Sequence, residues 1–288
     1  MIGSGLSLSA QSQPNAGLFT VTDITGDVSW VDPTTGASAP IVLNETLPVG
    51  ATIVTAADSS ASIAFSTGST VLVEADSAVK IASFTQAPFD PADLINDTIE
   101  PSVSHLELFV EKGGITNDVR SLRPGSVYTV NSPDGAVSVK GTVFFFQIDV
   151  ATGNLILKVN EGLVVFIGTD GQYAEIPEGT KMEDAKNMQR QPMSTAERVE
   201  FRNALVRLST ARDAVTSNEG TIYTKSVEIA TASDDSANTN VAGNTEDEGS
   251  SNDDSNDDDA GDDNNDVEPS TEVVIEIPTD NIVVSPST

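Results

Sequence analysis

The sequence predicts a mainly β fold, and three observations carry that prediction. Residues 18–178 are rich in Val, Ile, Thr, Phe and Gly, and their apolar positions recur two apart. Turn residues such as Gly68-Ser69 and Asp76-Ser77 punctuate the runs. Paired apolar positions also repeat every eight residues, at Ile63/Phe65, Val71/Val73 and Val79/Ile81. The expected fold is a twisted β-solenoid-like or sandwich-like domain with one amphipathic α-helix and a disordered acidic C-terminal tail.

Further strands are expected at Phe19–Ile24, Asp27–Val31, His105–Glu111, Ser126–Val130, Val137–Lys140, Val143–Val150, Asn154–Asn160 and Leu163–Gly168. Pro88, Pro91 and Pro101 mark residues 86–101 as an irregular insertion. Residues 179–230 read as a linker that contains a helix over 194–216. Ser194-Thr195-Ala196-Glu197 is a capping box: the Ser hydroxyl accepts from the third backbone N–H, and the Glu reaches back to the cap. Val199, Ala204, Leu205, Leu208, Ala211 and Val215 lie near one face, with Arg198, Arg202, Arg207 and Arg212 outside it. That face is expected to pack on the β domain; the alternative is a partner-binding or membrane-surface helix, and the overall acidity argues against a membrane.

The charge is uneven. Of 44 acidic residues, 17 lie past residue 230, where there is no Lys or Arg; the first 230 residues carry 27 acids and all 14 bases, a net of −13. Such acidity disfavours nucleic acid and anionic membrane surfaces. Residues 231–270 have too little apolar surface to offset the entropy of ordering, and disorder is expected there. Within them Asp254, Asn256 and Asp258 match the first ligands of a calcium loop, but Asp259 stands where its Gly belongs and Asn265 where its Glu belongs. No metal site is expected. Residues 271–288 alternate again at Glu272–Ile277 and Asn281–Val284, as a further strand would. Residues 1–17 read as the remnant of a secretory signal ending near Ala10, or as a flexible N-terminus. No run of about eighteen apolar residues occurs, so no segment reads as a membrane-spanning helix.

Chemistry is sparse. The absence of Cys excludes disulfides and thiolate sites. The one histidine, His105, precedes a strand pattern and has no nucleophile motif beside it. No nucleophile elbow, phosphate loop or HExxH occurs. Trp30 and Tyr128 sit in strands, where core packing is the ordinary role of an aromatic. No catalytic residue, cofactor or enzymatic activity is expected.

Four stretches together resemble the FecR-type domain over roughly residues 21–170. The first is Gly26-Asp27-Val28 with Leu47-Pro48-Val49-Gly50 and Ile53-Val54-Thr55. The second is Asp58-Ser59 through Ile63-Ala64-Phe65 with Gly68-Ser69, and the third is Glu107-Leu108-Phe109 with Lys112-Gly113-Gly114. The fourth is Ser132 to Ile148, containing Pro133-Asp134-Gly135 and Lys140-Gly141-Thr142-Val143-Phe144, closed by Val159-Asn160-Glu161-Gly162. Ser132 and Lys140 replace the usual Thr and Arg. The motif residues Gly26, Gly50, Thr55, Asp58, Phe65, Gly68, Gly113, Pro133, Gly141, Thr142, Phe144 and Gly162 read as structural. Phe144 and Phe146 are expected in the core, while Phe145 points the other way.

The resemblance implies a β domain of the bacterial envelope, periplasmic or secreted. In iron-uptake regulators that carry it, the domain follows a cytoplasmic sigma-factor-controlling segment and a transmembrane helix. Neither precedes residue 18 here, so sigma-factor control is not carried over. The leading expectation is a non-enzymatic extracytoplasmic module for protein interaction or envelope structure, with another envelope protein as partner. The alternative is a periplasmic signalling component acting in trans on a membrane-bound regulator. A carbohydrate-binding or carbohydrate-acting protein ranks last.

Overall fold

The computed structural model describes residues 15–96, 98–149, 152, 154–217, 220 and 222–229. The chain divides into two units, 1–235 and 236–288, and every described residue lies in the first. The readings made for residues 1–14, for the acidic segment 231–270 and for a strand within 271–288 fall outside the described residues.

The described chain is mainly β, with one long helix, Thr195–Thr216. Its strands form two sheets that share one strand, Ser104–Asp118. The first half of that strand pairs with Ala78–Gln86 and, in parallel, with Val127–Ser132. Its second half pairs antiparallel with Thr70–Val73 and Val143–Asp149. The first sheet continues outward through Thr52–Thr55, Val28–Val31 and Ser38–Pro40 on one side. On the other side it continues through Gly135–Val139, Leu163–Gly168 and Tyr173–Pro177. The second sheet adds Ser60–Phe65 and Phe19–Thr25 on one side. On the other it adds Asn154–Glu161, Thr180–Met182 and Arg190–Pro192, so pairing continues past residue 178 into the segment read as a linker.

The period-two pattern explains why both sheets enclose one core. Ile63, Phe65, Val71, Val73, Val79 and Ile81, the positions picked out by the alternation, are all buried in a single apolar cluster with Phe144 and Phe146. Phe19 and Phe84 flank Phe65, with ring centroids 5.9 and 5.6 Å away, the second pair edge to face. Tyr128 is buried, and its hydroxyl donates to Asn117 Oδ1 at 2.8 Å. Burial pushes that phenol's pKa up. Trp30 is half-buried against the edge of the core.

Two corners repeat one construction 18 residues apart, at Ala57-Asp58-Ser59 and Ala75-Asp76-Ser77. Asp58 and Asp76 take φ of 54° and 53°, a left-handed turn that a short polar side chain tolerates. The following serine is buried and bridges backbone. Ser59 Oγ donates to Ala57 O (3.0 Å) and accepts from Asp27 N (2.9 Å). Ser77 Oγ donates to Ala75 O (3.0 Å) and accepts from Gly114 N (2.9 Å). Thr55 ties the second corner down, donating to Glu74 O (2.6 Å) and accepting from Ser77 N (3.0 Å). Gly26 lies against the first serine and Gly113 against the second.

Gly141 precedes the strand that carries Phe144. It has φ +117°, and a Cβ there would stand 2.8 Å from Ser121 Cα. Gly141→Val is expected to destabilise the domain by about 1–3 kcal/mol, through backbone strain that a side chain cannot relieve. Urea melts of the variant and parent check this, and equal midpoints would reject it.

Candidate functional site

The motif residues do not converge on a pocket. Phe65 and Phe144 are core, Thr55 and Thr142 are buried, and Pro133 sits in the hairpin turn between Val127–Ser132 and Gly135–Val139. Gly50 turns against Pro33, Gly68 lies under the Arg120 guanidinium, and Gly162 packs on Thr142. His105 is exposed, and its Nε2 lies 3.1 Å from Gly125 O. Among the described residues no group of three or more His, Cys, Asp or Glu could hold a metal ion.

The concentration of charge lies elsewhere, in a cleft of about 660 Å³ between the long helix and the outer face of the second sheet. Its sheet wall includes Leu72, Glu74, Thr116, Phe145 and Lys158; its helix wall includes Glu197, Glu200, Phe201 and Arg207. Strand alternation supplies the sheet wall. Phe144 and Phe146 point into the core, so Phe145 points out, where it joins Val143, Met193, Phe201 and Leu205. Phe145, expected to point away from the core, thus enters a second packed layer beneath the helix.

The helix begins where the capping box places it. Ser194 Oγ accepts from Glu197 N, and Glu197 Oε2 accepts from Ser194 N at 2.8 Å. Glu197 then serves a second purpose, taking Lys181 at 3.0 Å and Lys158 at 3.5 Å. Lys158 also lies 5.1 Å from the Phe145 ring centroid and 3.7 Å from Glu200. Farther along, Arg207 pairs with Asp23 at 2.7 Å and donates to Ser60 Oγ at 2.6 Å, while Arg212 pairs with Asp118 at 2.6 Å. The sequence expected these arginines outside the apolar face. They flank it and reach the sheet.

Two carboxyls of the cleft are displaced in opposite directions. Burial raises Glu74 above the ordinary carboxylate value; the Thr116 hydroxyl, 2.8 Å away, and the Arg207 charge oppose this, and the Glu200 charge adds to it. Burial also acts to raise Glu197, but the Ser194 backbone and hydroxyl bonds with the Lys181 and Lys158 cations outweigh it and hold the carboxyl at about 2. The signs follow. Glu197 binds its proton more weakly in the folded state. Its contribution to stability is present above its ordinary value of 4.5 and is lost as pH falls toward 2. Glu74 binds its proton more tightly in the folded state. Its contribution is present below 4.5 and is lost as pH rises through the raised value. Glu74→Gln is therefore expected to gain stability over the parent as pH rises to neutrality, with urea melts at stepped pH as the check. A constant difference across that range would reject the assignment.

The fold and this cleft define a mainly β domain with a helix docked on one face. Residues 51–165 match the family model described as FecR protein. The matched stretch is less than half of the chain, and the long helix lies outside it. Two crystal structures of a candidate anti-sigma factor from Parabacteroides distasonis, at 2.50 and 1.65 Å resolution, align with TM-scores of 0.38 and 0.36 at 12% identity. Each alignment covers 50% of this chain and 59% of that one. No curated protein matches the chain.

Proposed function

We propose that the chain is a non-catalytic, extracytoplasmic protein-interaction module of the bacterial envelope. The observation that carries this reading is the FecR family match over residues 51–165. The chemistry of the cleft supports it. Its cations are engaged with carboxylates, and its buried carboxyl, Glu74, accepts from a threonine rather than facing a nucleophile. The family match also favours a second reading, a signalling component acting in trans on a membrane-bound regulator. A carbohydrate site has less support: Trp30 packs against the core edge and does not line the cleft.

Cell fractionation followed by affinity capture, with the full chain as bait, tests the proposal. Recovery from the envelope or medium, with one envelope protein retained in stoichiometric amount, is the expected result. A membrane-bound regulator as that protein selects the second reading. Recovery from the cytoplasm overturns the compartment, and no retained protein overturns the interaction.

A further inference from the structure

We propose that the long helix is a displaceable cover, and that the sheet face beneath it receives an amphipathic, basic helix of a partner protein in its place. The proposal rests on the interaction-module reading and adds a surface and a partner class to it.

The helix meets a face unlike a core. Along Ser60–Phe65, Ala61, Ile63 and Phe65 point into the main cluster, which leaves Ser60, Ser62 and Ala64 pointing out. Val71 and Val73 likewise point in, leaving Thr70 and Leu72 outside. Thr116 and Asp118 continue the outer row on the shared strand. Small hydroxyl-bearing side chains alternating with a buried set are the pattern of a sheet face that meets water or a polar partner. Phe201, Leu208, Ala211 and Val215 of the helix are nonetheless buried.

The fit leaves polar groups without partners. Ser62 Oγ, Thr70 Oγ1 and Arg212 Nε are buried and unbonded. Each destabilises the closed arrangement relative to one in which water or a new partner reaches it. The apolar contact is also divided. Val143, Met193 and Phe201 form one small cluster, and Ala64, Leu94, Val215 and Ile222 another, both separate from the main core. The charged cleft is lined by residues of the first cluster and lies beside Arg207.

Charge fixes where the helix sits. Asp23 takes Arg207 and Asp118 takes Arg212, so the face beneath the second half of the helix is acidic and meets two cations five residues apart, while Lys158 and Lys181 beneath its first turn take Glu197. Glu74, bonded to the Thr116 hydroxyl, adds a third carboxyl that an incoming cation would meet. A competing helix therefore needs an apolar stripe, small enough contacts to lie on serine and threonine, and cations at matching spacing.

Two measurements on the full chain test this. In hydrogen exchange, amides within 198–216 should exchange through an opening that leaves Ser60–Phe65 and Val143–Asp149 protected, and Arg207→Ala should populate that opening about five-fold more. In anisotropy, a labelled synthetic peptide of residues 193–217 should bind the Arg207→Ala chain about five-fold tighter than the parent. The same peptide should bind an Arg207→Ala, Asp23→Asn chain less tightly than the Arg207→Ala chain, because only the peptide's Arg207 then loses its partner. Helix amides that exchange only with the core strands overturn the cover. Local opening without peptide binding overturns the surface, while envelope capture still decides the interaction-module reading. A shift of the Arg207→Ala chain to a dimer in sedimentation assigns the face to a second copy's helix and overturns the partner class.

Discussion

Phe144→Ala should cost the domain about 3–5 kcal/mol, the range for removing a fully buried ring and leaving a cavity. Phe144 is 0% exposed in the main core. Its strand, Val143–Asp149, is held on both sides: Phe144 registers with Asn117 on the shared strand and with Val159 on the neighbouring hairpin. The surroundings therefore have little freedom to collapse into the space. Phe145 is the internal control. It points out of the same strand, half-buried beneath the helix. Phe145→Ala should cost about 1–2 kcal/mol, in keeping with partial burial of one ring. Urea melts of the two variants measure the contrast. Equal losses would mean that the inward and outward assignments of these adjacent rings are wrong.

That contrast was legible in the sequence because alternation is loud where one face is apolar and the other is not. The same holds for Ile63 and Phe65, for Val71 and Val73, and for Leu163–Gly168, which forms over the expected residues. Alternation fails at the margins. Ser38–Pro40 and Arg190–Pro192 are mostly exposed on both faces, so no period marks them. Thr180–Met182 is three residues long and fell in a segment read as a linker. The strand expected at His105–Glu111 ends before Gly113-Gly114, because no period-two apolar pattern continues through two glycines. In the fold the chain bends there and pairs on to Asp118 in the second sheet.

The helix shows a different limit. Its start was legible because a capping box is local chemistry, and Ser194 and Glu197 need only each other. Its buried face was only partly legible. Val199 is 44% exposed, whereas Phe201, absent from the expected stripe, is 4% exposed. A helix packed against a sheet is rotated by what it meets there, here Val143 and the two aspartates of the sheet and Met193 of the preceding connection. The cleft could not be read at all. Glu74, Lys158 and Glu197 come from segments far apart in the chain, and each alone looks like an ordinary surface charge. The motif glycines and Asp58, by contrast, are conspicuous in sequence because they build corners that only certain residues can build.

Gly113 is the most demanding of those corners, and Gly113→Ala should destabilise the domain by about 2–6 kcal/mol. Two causes add. The residue has φ +76°, where a side chain strains the backbone by about 1–3 kcal/mol. A Cβ would also stand 2.2 Å from Ser77 Oγ and 2.5 Å from Ser77 Cα, a clash of the kind that costs about 1–3 kcal/mol when a packed site is overfilled. The second contact involves backbone, so a rotamer change at Ser77 cannot relieve it. The corner must move instead, and with it the Ser77 bond that accepts from Gly114 N and the passage of the shared strand between sheets. Ser77→Ala removes the hydroxyl but leaves Cα in place. Gly113→Ala should therefore remain costly in the Ser77→Ala background, by most of its cost in the parent. A double-mutant cycle in urea makes the comparison. If Ser77→Ala restores the Gly113→Ala chain to the stability of Ser77→Ala alone, the hydroxyl is the obstacle, and neither the left-handed bend nor the close backbone approach requires glycine there.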